Sequence, residues 1–268
     1  MIETAFAKIN LALHVRRRRD DGYHELETLF AFVDAGDLLS VIPAPQDHLR
    51  TLGLFGRELT DPFGNIVTQA LSALPRPQGW AVTLEKNLPV AAGLGGGSAD
   101  AGALFRLYDR EYGLPADWHA RAAALGADVP ACVRSVTAVG RGTGTELAEV
   151  DSDLTGMAVL LVNPRVPLST GPVFKGWDGV DRGPLPEGPV SKIALEGRND
   201  LEAPAIVLCP AVAQVLAALG ATQPWLARMS GSGATCFALY EDAAKRDAAA
   251  ARIAANHPGW WQMPGALR

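Results

Sequence analysis

Apolar and polar positions alternate near the start of the chain: Ile9, Leu11, Leu13 and Val15 are interleaved with Lys8, Asn10, Ala12 and His14. A period of two predicts a half-buried strand with Lys8 and Asn10 on one face. A merely wet polar face would explain them equally well. Arg16, Arg17, Arg18 and Arg19 come next and read as a solvated turn. Asp20-Asp21-Gly22 then signals a hairpin. Strands are expected over 27–33 and 38–42, separated by a turn at Asp34, Gly36 and Asp37, with a fourth over 49–54. At Asn65 the period changes. Ile66, Val67, Ala70, Leu71 and Leu74 define one helical face behind an Asn65 N-cap.

The next change of period frames the most informative stretch. Residues 80–85 alternate as a strand, whereas Leu104, Leu107, Tyr108 and Tyr112 recur at helical spacing up to Gly113. Between them runs Pro89-Val90-Ala91-Ala92-Gly93-Leu94-Gly95-Gly96-Gly97-Ser98-Ala99. Glycines there permit positive φ, so successive backbone N–H groups can converge on an anion. The helix start adds its orphan N–H groups and positive dipole end. A phosphorylated ligand is therefore expected, a ligand-free glycine loop being the alternative. The stretch is not a P-loop, because no lysine comes after the glycines. It is not a dinucleotide fingerprint either, because Ser98 stands at the third glycine position and no acidic residue caps a second strand.

Further along, Asp117 caps a short helix ending at Gly126. Pro130 disfavours helix at Val129, which leaves Asp128 at a break in the backbone. A carboxylate there is ordinarily a turn or cap residue. Strands over 137–140 and 157–163 flank a loop at Gly142-Thr143-Gly144. The stretch 163–191 is rich in proline and glycine, carries Phe174 and Trp177 as its large residues, and reads as loop. Asn199 and Asp200 cap the segment after them, and Pro210 opens a helix through Leu219. Arg228-Met229-Ser230-Gly231-Ser232-Gly233-Ala234-Thr235 is a second small-residue loop, suited to an anion or to a tight hairpin. An alanine-rich helix over 241–256 and a closing strand from Trp260-Trp261 complete the chain. Runs of strands interrupted by helices on one side point to α+β, not a doubly wound sheet.

Composition narrows the function classes. At 268 residues the chain could form one large domain or two small ones. A net charge of -5, from 24 basic and 29 acidic residues, argues against a general nucleic-acid binder. Cys132, Cys209 and Cys236 lack CxxC spacing, so neither a disulfide framework nor a zinc site is indicated. No apolar run reaches membrane length and the N-terminus lacks a signal-peptide core, so a cytosolic protein without a membrane partner is expected.

The motifs carry a resemblance. The glycine stretch from Pro89, with Gly231-Ser232-Gly233-Ala234, resembles the galactokinase, homoserine kinase, mevalonate kinase and phosphomevalonate kinase (GHMP) superfamily. More narrowly, Ala7-Lys8-Ile9-Asn10-Leu11, Asp21-Gly22-Tyr23-His24, Gly126-Ala127-Asp128-Val129-Pro130 and Ser230-Gly231-Ser232-Gly233 together resemble the 4-diphosphocytidyl-2-C-methyl-D-erythritol kinase family. The resemblance implies a two-lobed α+β GHMP fold. Its N-terminal lobe, over 1–150, would resemble a ribosomal protein S5-like domain, and its C-terminal lobe, over 151–268, would be ferredoxin-like. It implies ATP-dependent phosphorylation of the substrate's 2-hydroxyl, in the non-mevalonate route to isoprenoids, by a monomer or weak homodimer.

The same resemblance assigns roles. Asp128 would be the catalytic base, and Lys8 its partner, favouring the ionised carboxylate and helping to place the hydroxyl. Asn10 would bind the polyol. Residues Pro89 to Ala99 would hold ATP, with Ser98 a ligand of Mg²⁺ or phosphate, and Gly231, Ser232 and Gly233 would assist. Asn65 and Ile66 would contact adenine, and Lys86 would face the nucleotide phosphates. Tyr23, His24 and Phe174 would read the cytosine, where stacking is worth roughly 1–3 kcal/mol per base. The arginine run and a short C-terminal half depart from the family pattern. Two alternatives stay open: a sister GHMP kinase for another small alcohol, and a non-catalytic ligand-binding relative.

Overall fold

The computed structural model describes residues 1–59, 61 and 64–268. It opens with two long paired strands, β1 (Ile2–Arg18) and β2 (His24–Ala44). Both depart from the sequence expectation. Every residue from 7 to 15 is buried, so β1 is covered on both faces instead of being half wet. Arg16, Arg17 and Arg18 lie on β1, not in a turn. Arg16 is held there by Glu27 at 2.5 Å and Asp181 at 2.9 Å, and Arg17 by Glu25 at 2.6 Å. The turn itself is Asp20-Asp21-Gly22 as expected, with Gly22 at φ 85° and the Arg19 amide bonded to the Tyr23 carbonyl.

β2 is one strand where two and a turn were expected. Gly36 serves a close crossing: a side chain on it would run into the carbonyl of Ala5 on β1. Asp37 is fully buried with partners distant in sequence. Local turn chemistry cannot see either cause.

The chain divides into two compact units. The first comprises Met1–Lys8, Ala35–Val90 and Gly95–Ser135, and the second Ile9–Asp34, Ala91–Leu94 and Val136–Arg268. Neither is one continuous segment, because β1 and β2 each contribute to both. Residue 150 lies inside the second unit.

In the first unit, β3 (His48–Leu52) is followed by α1 (Ile66–Ala73), β4 (Gly79–Glu85), α2 (Gly96–Tyr112), α3 (Trp118–Leu125) and α4 (Val129–Arg134). β4 pairs antiparallel with the second half of β2 and parallel with β3. Asn65 caps α1 as expected, its Oδ1 accepting the Val67 amide at 2.9 Å, a bond typically worth about 1 kcal/mol. Val129 is helical after all. Pro130 sits in the first turn of α4, where a missing N–H is no loss, so Asp128 is the residue from which α4 starts. Helices α2 and α4 cross at Gly102, where a Cβ would lie 2.5 Å from the Cys132 backbone. Arg106 of α2 clips both neighbours, donating to the Cys132 carbonyl at 2.5 Å and pairing with Glu3 of β1 at 2.8 Å.

In the second unit, β5 (Ala138–Gly142) pairs antiparallel with the first half of β2 and with β6 (Glu146–Glu149). Then come β7 (Ala158–Asn163), α5 (Thr170–Lys175), α6 (Val190–Glu196), α7 (Glu202–Leu208), α8 (Ala211–Gly220), β8 (Leu226–Met229), β9 (Cys236–Tyr240), α9 (Ala243–Asn256) and β10 (Trp261–Ala266). A four-stranded antiparallel sheet has the order β10-β7-β9-β8. Leu160 and Val162 of β7 share a core with Val212, Val215 and Leu219 of α8 and Ile253 of α9. Phe174 is therefore helical, not in a loop, because Val173 anchors α5 in that same core. The whole is α+β, with one mixed sheet, one antiparallel sheet and helices, as the pattern predicted in class.

Candidate active site

The first unit brings Lys8 and Asp128 together. Lys8 is 4% exposed on β1, and its ammonium lies 3.0 Å from Oδ2 of Asp128 at the start of α4. The Asp128 side chain keeps 33% of its exposure, so one oxygen can meet a ligand while the other holds the lysine. Gly95 packs against this pair. It is left-handed at φ 59°, and a Cβ on it would sit 3.0 Å from Lys8 Cε and 3.7 Å from Asp128 Oδ2. Only glycine provides both the conformation and the space.

Gly95 is also the N-cap of α2, so Gly96 and Gly97 belong to its first turn with Ser98. Their amides have no carbonyl one turn earlier within the helix and stand at its positive end. Ile66 meets this turn, its Cγ2 lying 3.4 Å from where a Gly97 side chain would begin, with Asn65 just before it. Ala91 and Gly93 also have positive φ, at 51° and 78°. Pro89 is buried and Val90 is 38% exposed.

Lys86 differs from its expected place. It is buried, and its ammonium donates to the carboxylates of Asp37 and, at 2.7 Å, Asp100, instead of facing open space. Burial alone would lower its pKa, but those two carboxylates outweigh burial and raise it. Burial pushes the Asp100 carboxyl well up, which Lys86 offsets only in part and Asp37 reinforces.

The second unit gathers the other residues into two groups. In one, the Asn10 side-chain amide donates to Thr28 Oγ1 at 2.7 Å, and its backbone amide donates to Ser230 Oγ at 3.2 Å. Asn10 is 2% exposed, so it supports the 230–235 loop as well as offering any surface to a polyol. That loop carries Gly231 and Gly233 at φ 56° and 85°, and Ser232 meets Thr170 Oγ1 at 2.9 Å. Ser230 Oγ donates to the Gly93 carbonyl at 2.8 Å, which ties residues 91–94 to the second glycine loop. Asn199 fixes that loop from beneath, donating to the carbonyls of Met229 and Gly231 at 2.8 Å each.

The other group is aromatic. The ring of His24 lies 5.0 Å from Phe174 and 5.9 Å from Trp177, edge-on to the latter. His24 Nε2 and Trp177 Nε1 are buried without a hydrogen-bond partner, and an unmade buried bond costs about 1–3 kcal/mol. The two atoms stand in one aromatic cluster. Burial, and then the Arg18 charge, lower the His24 pKa, which favours the neutral ring. Arg18 stands over the Trp177 ring at 5.9 Å and donates to its carbonyl at 2.5 Å. Tyr23 is 65% exposed at the hairpin turn.

Comparison with known proteins decides the family. Residues 65–136 match the GHMP kinases N terminal domain, and residues 189–259 match GHMP kinases C terminal. A 4-diphosphocytidyl-2-C-methyl-D-erythritol kinase from Novosphingobium aromaticivorans is 68% identical over 99% of this chain and 92% of its own. One from Erythrobacter litoralis is 63% identical over 99% of both chains. The chain belongs to this family of GHMP kinases. A crystal structure titled 4-(cytidine 5'-diphospho)-2C-methyl-D-erythritol kinase superposes with a TM-score of 0.82 at 34% identity, covering 100% of this chain and 99% of that one. A homoserine kinase from Cytophaga hutchinsonii, at 16% identity over 98% of this chain and 95% of its own, shares the GHMP kinase fold with a TM-score of 0.67.

Within this GHMP kinase, sequence reasoning missed Asp37, Asp100, Thr28, Trp177 and Asn199. Asp37 and Gly36 resembled a turn, and Asp100 was given no role. Its spacing gave one usable signal: Asp100 falls in register with Leu104 and Leu107, on the buried face of α2.

Among the described residues no group of three His, Cys, Asp or Glu side chains could cage a metal. Mg²⁺ is ordinarily held by one or two protein oxygens together with phosphates and water, and needs no such cage. The Ser98 hydroxyl stands in the first turn of α2.

Proposed function

We propose that the chain transfers the γ-phosphoryl group of ATP to the 2-hydroxyl of 4-diphosphocytidyl-2-C-methyl-D-erythritol, a step in non-mevalonate isoprenoid precursor synthesis. The observation that carries this reading is the ion pair of Lys8 and Asp128 packed against Gly95, at the N-terminus of α2. It joins a proton acceptor and a cation to an anion-binding helix start, the parts that phosphoryl transfer to an alcohol requires. The names of relatives more than 60% identical over nearly the whole chain supply the substrate.

In this reading the amides of Gly96, Gly97 and Ser98 hold phosphate oxygens and spread their charge. Mg²⁺ bound with the phosphates would neutralise further charge there, with Ser98 as its protein ligand. The free oxygen of Asp128 accepts the proton of the 2-hydroxyl as its oxygen closes on the γ-phosphorus. An O–H bond and the bond from the γ-phosphorus to the bridging oxygen break, a new O–P bond forms, and ADP leaves. Lys8 keeps Asp128 aimed and offers positive charge beside the reacting hydroxyl. Asn65 and Ile66 border the adenine, and the 230–235 loop supports the glycine stretch through Gly93.

His24, Phe174 and Trp177 bind the cytosine. The aromatic faces supply stacking, while the unpartnered Nε2 and Nε1 atoms supply hydrogen bonds to the base edge. Tyr23 closes over the base from the hairpin turn. Product analysis tests the assignment. Phosphorus NMR of the product should show one new phosphomonoester signal without the three-bond proton splitting that a phosphate on a primary or secondary hydroxyl shows, because the 2-carbon carries no hydrogen. A phosphate on any other hydroxyl would refute it.

A further inference from the structure

We infer that Asp37, Lys86 and Asp100 form a positioning device for the phosphate-binding end of α2. The inference rests on the nucleotide role proposed for the 89–99 loop. Three elements meet in this cluster. Asp37 comes from the second half of β2, Lys86 from the end of β4, and Asp100 from the second turn of α2. All three are nearly or fully buried: Asp37 at 0%, Lys86 at 2% and Asp100 at 2% exposure.

The hydrogen bonds run toward the loop. Lys86 Nζ donates to Asp37 Oδ2 and, at 2.7 Å, to Asp100 Oδ2. The second oxygen of Asp37 accepts the amides of Asn87 at 2.6 Å and Leu88 at 2.7 Å, the two residues that lead into Pro89. The Lys86 backbone is fixed as well: its amide donates to the Leu52 carbonyl at 2.8 Å, and its carbonyl accepts from Phe55 at 3.0 Å. The cluster thus grips the chain just before the loop and the helix just after it.

Gly96 is the point of contact. A Cβ on it would lie 3.1 Å from Lys86 Nζ, whereas its neighbour Gly95 faces Lys8 and Asp128 at 3.0 Å and 3.7 Å. The first turn of α2 is therefore seated between two charged groups, one reactive and one buried. Well-packed apolar residues would hold a fold at least as firmly as three buried ionisable groups, so stability alone does not explain the cluster. Directional bonds from one ammonium to two elements fix a helix end to a fraction of an ångström. Oriented amides at a phosphate demand that accuracy.

Asp100→Asn tests the inference, because it preserves shape and one acceptor while removing the carboxyl group that Lys86 pairs with. In the full-length enzyme it should raise the KM for ATP about 10-fold and weaken binding of a fluorescent ATP analogue in parallel. The KM for the cytidylyl alcohol should stay within about twofold. Lys86→Arg should retain more ATP affinity than Lys86→Gln. A purely structural role would lower the melting temperature and the folded fraction but leave the KM for ATP unmoved, and that result would overturn the inference. If Lys86→Gln does not fold, the isosteric Asp100→Asn decides alone. If the unmodified protein fails to bind the analogue, the nucleotide reading of the loop falls, and the positioning role falls with it.

Discussion

The Lys8 ammonium and the Asp128 carboxylate, from opposite ends of the first unit's sequence, meet at 3.0 Å with the lysine buried and the aspartate one-third exposed. The asymmetry matters for chemistry. A fully buried aspartate could not reach a substrate, and a fully exposed lysine would lose most of its pairing energy to water.

Replacing Asp128 with Asn keeps the shape and removes the base. Turnover should fall by about 10²-fold or more, the usual scale for a general base, with ATP affinity nearly unchanged. Steady-state kinetics and an ATP-binding titration on the same preparation check it. An almost unimpaired variant would return Asp128 to a simple helix-capping role.

The aromatic group of the second unit makes a different forecast. His24 touches Phe174 and Trp177, and its contacts with a cytosine would be present before and during transfer. Loss of such uniform binding raises KM and spares kcat. His24→Ala should therefore raise the KM for the cytidylyl alcohol about 10-fold, with the KM for ATP close to its starting value. The opposite pattern would mean that the two ligands had been assigned to the wrong groups.

His14 gives a pH dependence of stability. Its Nδ1–H donates to the Gly183 carbonyl at 3.1 Å and its Nε2 accepts the Arg198 amide at 3.2 Å, an arrangement open only to the neutral ring. Burial first, and then the Arg198 charge, lower its pKa below the ordinary 6.5, against weaker opposing pulls from the Gly183 bond and Asp200. Between the folded and unfolded pKa values the unfolded chain binds a proton that the folded chain refuses. This contribution is thus complete above pH 6.5 and is lost as pH falls below it, at a slope of at most about 1.4 kcal/mol per pH unit. Melting temperatures measured from pH 7.5 down to about pH 5 should fall less steeply for His14→Gln than for the unmodified protein. Parallel curves would show that His14 takes up its proton in both states alike.

The glycine loop and the helix after it were legible because both signals are local. A strand period, a run of glycines and a helix period succeed one another in the chain. Asn65 as a cap and Asp20-Asp21-Gly22 as a turn were legible for the same reason. The features that stayed hidden depend on partners far away in sequence. Asp37 and Gly36 resemble a turn until Lys86 and the Ala5 carbonyl are beside them. Arg16 and Arg17 resemble a solvated run until Asp181, Glu27 and Glu25 pair with them on β1. Lys86 seemed ready for phosphate because its two carboxylates lie on other elements. Residues Lys8 and Asp128 were nameable only through their flanking motifs, since periodicity leaves each with an ordinary structural role.

An ATP-dependent transfer that requires the cytidine diphosphate end of the alcohol defines the proposed reaction. A coupled assay of ADP release, run with the full-length protein, Mg²⁺ and ATP, tests it. ADP should appear when 4-diphosphocytidyl-2-C-methyl-D-erythritol is added, and should stay at background with 2-C-methyl-D-erythritol lacking its cytidine diphosphate, with mevalonate and with homoserine. Equal release with any of those alcohols, or none with the cytidylyl substrate, would contradict the proposed function.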